Sequence, residues 1–345
     1  MTEKIADGIW RIGVPLPENP LRELNSYFIP GGDRDILIDT GFCREECREA
    51  LMAGIRDAGG RPEKIDVLLT HLHSDHSGLA AEAASDDGRI FISGEDMKRM
   101  EGDFREESAR LRRVQFLEAG FPEAILDQTQ KVNPAVRYRL EKLDDRFVPV
   151  QEGDRIQAGN CELEWVSVPG HTPGNMMLWE KKRGIMFTGD HILFDISPNI
   201  TSWIGVEDSL GDYLESLRKA GDYPVRLAFP GHRGTGNYGR RIDELLIHHR
   251  RRLEEVLRIL NENPGLTVYE LAGRMRWRIR AASWEEFPAA QKWFAVGECM
   301  AHTDYLEKRG YLRRHMEAGV FRLFPLADSL SDAETGEKRR EVNPT

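Results

Sequence analysis

Cysteine is scarce in this chain: four in 345 residues, at positions 43, 47, 161 and 299, with no Cys-x-x-Cys pair. A disulfide scaffold and a cysteine-built zinc knuckle are thereby excluded, and reduced structural thiols are expected. No apolar run reaches the ~20 residues that a membrane span requires, and the opening stretch Met1 to Gly8 lacks the hydrophobic segment of a secretory signal. The expectation is a cytoplasmic protein without a membrane partner. Positive charge is not in excess either, since 48 Lys and Arg face 58 Asp and Glu for a formal net charge of -10. No global pull toward nucleic acid or anionic lipid follows from such a balance, so either partner would need a local basic patch. At 345 residues the chain is too long for one ordinary core, and two domains are expected.

Histidine, by contrast, is concentrated. Thr70-His71-Leu72-His73-Ser74-Asp75-His76 follows directly on the apolar run 65–69. Alternate residues of an extended segment project the same way, so His71 and His73 can hold one ion, while Asp75 and His76, past the bend, reach a second. Imidazole with carboxylate suits zinc, iron or manganese. A lone cluster could be an accidental metal trap, but three further loops carry the same residue types. Pro169-Gly170-His171 follows the strand-like 163–168. Thr188-Gly189-Asp190 ends the apolar run 184–188. Pro230-Gly231-His232 ends the run 226–229. Each candidate sits where a rigid strand hands over to a loop able to face a cleft.

The ordered set H-x-H-x-D-H, then histidine, aspartate and histidine, resembles the metallo-beta-lactamase superfamily. Carried over position by position, the resemblance implies that His71, His73 and His171 hold one metal, that Asp75, His76 and His232 hold the other, and that Asp190 bridges them. It also implies two divalent ions, zinc first with iron or manganese as alternatives, and hydrolysis by a hydroxide shared between the ions and oriented by Asp75. Asp75 and Asp190 are thus the candidate catalytic carboxylates. A small-molecule thioester or related acyl ester ranks first as substrate, a phosphodiesterase or ribonuclease activity second, and a nucleic-acid-binding regulator third. His73 stands where flavodiiron oxygen reductases carry glutamate, and the basic glutathione-binding tail of a glyoxalase II is not recognisable. His191 is weighed as a neighbour of the bridging aspartate rather than a ligand. His248, His249, His302 and His315 are read as solvated histidines of helix faces or wings.

The periodicities predict α/β architecture. Short strands at 9–14, 25–29 and 35–41, a helix over 45–58, and strands alternating with helices beyond it fit an αββα sandwich over residues 1–240, the fold the resemblance also implies. Residues 94–144 are charged and helix-forming, and their place between two ligand motifs predicts a helical cap whose Met, Phe and Arg side chains shape the substrate pocket. Over 241–328 the pattern reads as a long helix (241–263), a helix capped by Thr267 with Glu270, a third helix (287–309) and two short strands, a winged-helix-like α+β domain. It resembles the tail of metallo-beta-lactamase-fold hydrolases of the beta-lactamase-like protein 2 and hydroxyacylglutathione hydrolase-like kind. Arginines at 274, 276, 278 and 280 point toward nucleic acid, but Glu298, Asp304 and Glu307 balance Lys292, Lys308 and Arg309 on the third helix. That balance favours packing or homodimerisation over DNA binding. Residues 329–345 are polar and expected to be disordered.

Overall fold

Seven strands from the first half of the chain form one sheet in chain order: β1 (Thr2–Ala6), β2 (Ile9–Pro15), β3 (Glu23–Ile29), β4 (Asp35–Ile38), β5 (Ile65–Leu68), β6 (Ile90–Ser93) and β7 (Phe147–Val150). The computed structural model describes residues 1–132, 134–278 and 281–331. Strands β1 to β4 pair antiparallel through short loops, whereas β4 to β7 run parallel. Parallel neighbours need crossovers. These are α1 (Glu45–Asp57), then the one-turn helices α2 (Ser74–Ser77) and α3 (Ala80–Ala83), then the four helices of the predicted cap: α4 (Gly94–Met100), α5 (Gly102–Glu118), α6 (Glu123–Val132) and α7 (Pro134–Arg137).

The second sheet has the order β12-β11-β10-β9-β8, from β8 (Arg155–Ala158), β9 (Cys161–Ser167), β10 (Met176–Glu180), β11 (Ile185–Gly189) and, after α8 (Ser209–Gly221), β12 (Leu227–Pro230). Period-two alternation stacks the layers. Ile36 and Ile38 of β4 meet Leu163, Trp165, Leu178 and Phe187 between the sheets. Leu37, pointing the other way, packs under α1 with Leu51 and Ile55. Val166, Met177 and Met186 turn outward onto Leu214 and Leu217 of α8. Helix, sheet, sheet and helix follow in that order, the αββα sandwich that the sequence predicts.

The remaining elements are α9 (Tyr238–Glu262), α10 (Val268–Arg274), α11 (Ala289–Lys308) and the antiparallel hairpin β13 (Leu312–Glu317) and β14 (Val320–Pro325). Thr267 Oγ1 accepts from the Glu270 amide at 3.1 Å and a Glu270 carboxylate oxygen accepts from the Thr267 amide at 2.8 Å, the capping box expected there. Leu253 and Val256 of α9, Val296 and Met300 of α11 and Leu323 of β14 share one apolar cluster with Val166, Met177 and Met186 of the second sheet. Two histidines depart from expectation. His249 and His302 are fully buried, with rings stacked 5.4 Å apart and Nδ1 of the first 3.3 Å from Nε2 of the second. The solvated reading fails for them because a helix seen alone does not reveal that α9 and α11 bury facing sides against each other. His248 is half-buried, and His315 is exposed as expected. Arg280 and residues 332–345 lie outside the described residues. Among the described residues, no helix is long and apolar enough to cross a membrane, and all four cysteines are free.

Candidate metal centre

The loops leaving the carboxyl ends of β4, β5, β9, β11 and β12 meet at one edge of the sandwich, where open α/β sheets commonly place their ligands. The seven candidate side chains lie together there. His71, His73 and His171 form one group, Asp75, His76 and His232 a second, and His71, His76 and Asp190 a third between them, the ligand atoms of each lying within 4.8 Å of one another. His73 Nδ1 is 3.1 Å from His71 Nε2 and 3.0 Å from His171 Nε2. His76 Nε2 and His232 Nε2 are 3.3 Å apart, and Asp75 Oδ2 is 3.4 Å from His232 Nε2. Asp190 reaches both sides: its Oδ1 is 3.5 Å from His76 Nε2, and its Oδ2 is 3.5 Å from His232 Nε2 and 3.8 Å from His171 Nε2.

The ring orientations are fixed from behind, through partners that short sequence motifs do not announce. Asp39, carried past the end of β4 in a left-handed conformation (φ 57°), accepts from His76 Nδ1 at 2.7 Å and from the Thr70 amide and hydroxyl, both at 2.8 Å. His171 Nδ1 donates to the Asn199 carbonyl at 2.9 Å and His232 Nδ1 to the Glu23 carbonyl at 2.8 Å. Such bonds select the tautomer that leaves the opposite nitrogen bare. Asp96, on α4, is fully buried. It accepts from the Leu72 amide at 2.9 Å, the Thr172 hydroxyl at 2.7 Å and the Gly174 amide at 2.8 Å, tying the first histidine loop to the His171 loop. Asp39 and Asp96 are legible in the sequence only as a strand end and as one acid in a charged helix. Gly231 needs its missing Cβ, which would stand 2.6 Å from Asp190 Oδ1. His191 joins none of the three groups; it is buried with its ring edge-on to Tyr213 at 5.1 Å.

The electrostatics fit a cation. Burial, reinforced by the neighbouring imidazoles, holds His71 well below its ordinary value and takes His73 down to about 3, so both stay neutral with a lone pair to give. Burial alone would raise the carboxyls, but at Asp75 the hydrogen bond with His232 and the charges of His76 and His232 prevail and lower it to about 2. The same two imidazoles keep Asp190 far below the carboxylate range. Burial opposes the charged form of His76, yet Asp39 and Asp190 raise it well above its ordinary value, a demand for positive charge that a metal ion meets in place of the proton. Asp190 Oδ1 is buried without a hydrogen-bond partner among the described residues, as a carboxylate oxygen reserved for coordination would be. These residues could therefore hold divalent metal.

The metallo-beta-lactamase superfamily pattern matches residues 20–232, well over half of the chain. The chain belongs to the metallo-beta-lactamase superfamily. It is accordingly a metal-dependent hydrolase. Among solved structures it is similar to a metallo-beta-lactamase family protein of Thermus thermophilus, with a TM-score of 0.77 and 28% identity over 93% of this chain and 100% of that one. A beta-lactamase domain protein of Burkholderia ambifaria gives a TM-score of 0.79 and 26% identity over 94% of each chain. Similar sequences include the beta-lactamase-like protein 2 homolog of Caenorhabditis elegans, 26% identical over 81% of this chain and 82% of that one. The acyl-coenzyme A thioesterase MBLAC2 of Bos taurus is 26% identical over 68% of this chain and 81% of its own.

In this superfamily member α11 packs on the 199–203 loop, which in turn holds His171. The Ser202 amide donates to the Gly297 carbonyl of α11 at 3.3 Å, and Trp203 Nε1 donates to the His171 carbonyl at 3.1 Å. A Cβ on Gly297 would stand 2.5 Å from Thr201 Oγ1. Gly297→Ala is therefore expected to displace the 199–203 loop, costing about 1–3 kcal/mol of stability and lowering turnover with it. Thermal melts read beside kcat check this, and an unchanged kcat would separate α11 from the site.

Proposed function

We propose that the chain hydrolyses acyl thioesters of small molecules at a dinuclear centre, zinc being the first choice of metal, with His71, His73 and His171 at one position, Asp75, His76 and His232 at the other and Asp190 shared. Two divalent ions held there supply Lewis acidity toward a carbonyl oxygen and make water available as a nucleophile near neutral pH. The protein's own groups then have defined tasks. Asp75, kept ionised, accepts a hydrogen bond from the attacking water and aims its oxygen at the carbonyl carbon. A C–O bond forms, the C–S bond breaks, and a carboxylate and a thiol leave with the elements of water divided between them. The buried carboxylates Asp39 and Asp96 act at a distance, by holding the histidine loops in register.

One observation carries the choice of an acyl substrate. A cavity of about 250 Å³ opens beside His73 between the inserted helices and Trp203, and Leu72, Met100, Phe104, Leu140 and Ile204 give it apolar walls. An acyl chain can enter such a space with its carbonyl at the metal ligands. The acyl-coenzyme A thioesterase among the similar proteins supports the same reading. The inserted helices are then the cap expected from their position, and α11 serves as a brace for the site in preference to a nucleic-acid surface. A panel of acyl-coenzyme A and acyl-glutathione thioesters, lactones and bis-p-nitrophenyl phosphate, run on the zinc-loaded protein, tests the proposal. Cleavage of thioesters at least about 100-fold faster than of phosphodiester is expected, a difference of ~2.7 kcal/mol in barrier. Cleavage of the phosphodiester with every thioester ignored would overturn it.

A further inference from the structure

The apolar cavity beside His73 also contains four arginines, Arg99, Arg105, Arg112 and Arg139, an excess of cation that an acyl chain alone does not explain. Arg99 is matched by Glu95 at 2.8 Å. Arg105 donates to the carbonyls of Leu140 and Glu141 at 3.1 and 2.8 Å, and its buried Nε has no hydrogen-bond partner among the described residues. Arg112 is half-buried, with its guanidinium 4.9 Å from the Trp203 ring and 5.8 Å from that of Trp293. Among the described residues no carboxylate pairs with it, and burial together with Arg99 pushes it down to about 10. A guanidinium held against two indole faces and paired with no carboxylate is free to take an incoming anion.

Its distance from the centre is also bounded. Trp203 stacks on His73 with ring centroids 6.0 Å apart, so the Arg112 guanidinium can be no further than about 11 Å from the His73 ring. At roughly 1.3 Å of advance per bond, that distance admits a chain of up to about eight bonds. The first phosphate of a pantetheine thiol lies about 13 bonds, or roughly 17 Å, beyond the sulfur when extended. We propose that Arg112, assisted by Arg105, binds a carboxylate at the far end of a short acyl chain, making the substrate the monothioester of a dicarboxylic acid. This deepens the thioester reading and rests on it.

The test separates acyl charge from thiol charge. Glutaryl and pentanoyl thioesters are compared on N-acetylcysteamine, which carries no phosphate, and on coenzyme A, with the wild-type protein, Arg112→Gln and Arg112→Lys. Wild type is expected to favour glutaryl over pentanoyl by about tenfold or more in kcat/KM on both thiols, as a charge-assisted hydrogen bond would give. In Arg112→Gln that ratio should fall below about twofold, and Arg112→Lys should restore part of it. A ratio near one in wild type, or one that Arg112→Gln leaves intact, overturns the proposal, since a guanidinium acting only as a clamp between two tryptophans would not read acyl charge. A gain that follows coenzyme A whatever the acyl group also overturns it, placing the anion on the thiol side. Glutarate titration by tryptophan fluorescence is independent of turnover. Binding to wild type and loss in Arg112→Gln would support the carboxylate site even if no thioester were cleaved. Thioester cleavage without glutarate binding or glutaryl preference would sink this proposal alone.

Discussion

Asp190→Ala should fold and yet lose at least about 10³-fold in kcat/KM, because it strips the centre of a carboxylate that faces both groups of ligands. Its two oxygens lie 3.5 Å from His76 Nε2, 3.5 Å from His232 Nε2 and 3.8 Å from His171 Nε2. Losing a ligand that faces both metal positions would weaken both, and each ~1.4 kcal/mol of lost metal or transition-state stabilisation is about tenfold in a binding constant or rate. Two metal ions brought together without the shared carboxylate would also repel each other more strongly. Asp190→Asn should fail almost as badly, since it keeps the shape and loses the charge. Steady-state kinetics with metal analysis of the same samples checks both. A variant that still holds two ions and loses less than tenfold would remove Asp190 from its bridging place.

The second large effect is expected at Asp39, which touches none of the reacting atoms. Asp39→Ala leaves His76 Nδ1, the Thr70 amide and the Thr70 hydroxyl without their acceptor. Outer-shell partners of metal-bound histidines are typically worth 10–100-fold in metal affinity, and buried donors left unpaired cost roughly 1–3 kcal/mol each. Chelator competition should therefore show zinc held about 10–100-fold more weakly, and the melting temperature should drop in parallel. A positioning role predicts that excess zinc restores part of kcat. Full activity at stoichiometric metal would show that His76 needs no such support.

These residues also show what can be read from the chain. The seven candidate ligands are visible because a metal site compresses strict chemical demands into short spacings, and because each ligand follows an apolar strand with a glycine or bend at its end. The sandwich is visible for a related reason, as the alternation that makes Ile36 and Ile38 face one layer and Leu37 the other is written in the sequence. Asp39 and Asp96 are not visible. Each makes its contacts with residues tens of positions away, and nothing local separates a buried acceptor of three hydrogen bonds from a solvated acid. The paired rings of His249 and His302 escape on similar grounds, since burial between α9 and α11 is decided by tertiary packing. The place of Arg112 is hidden for the same reason, as its two tryptophans come from segments roughly 90 and 180 positions further along.

The proposed hydrolysis needs two ions sharing one carboxylate. Metal analysis of the purified protein, followed by anomalous diffraction from its zinc form, tests this most directly. The expected result is two zinc ions per chain, one among His71, His73 and His171 and one among Asp75, His76 and His232, with Asp190 in contact with both. A single ion at full activity, or peaks away from Asp190, would contradict it.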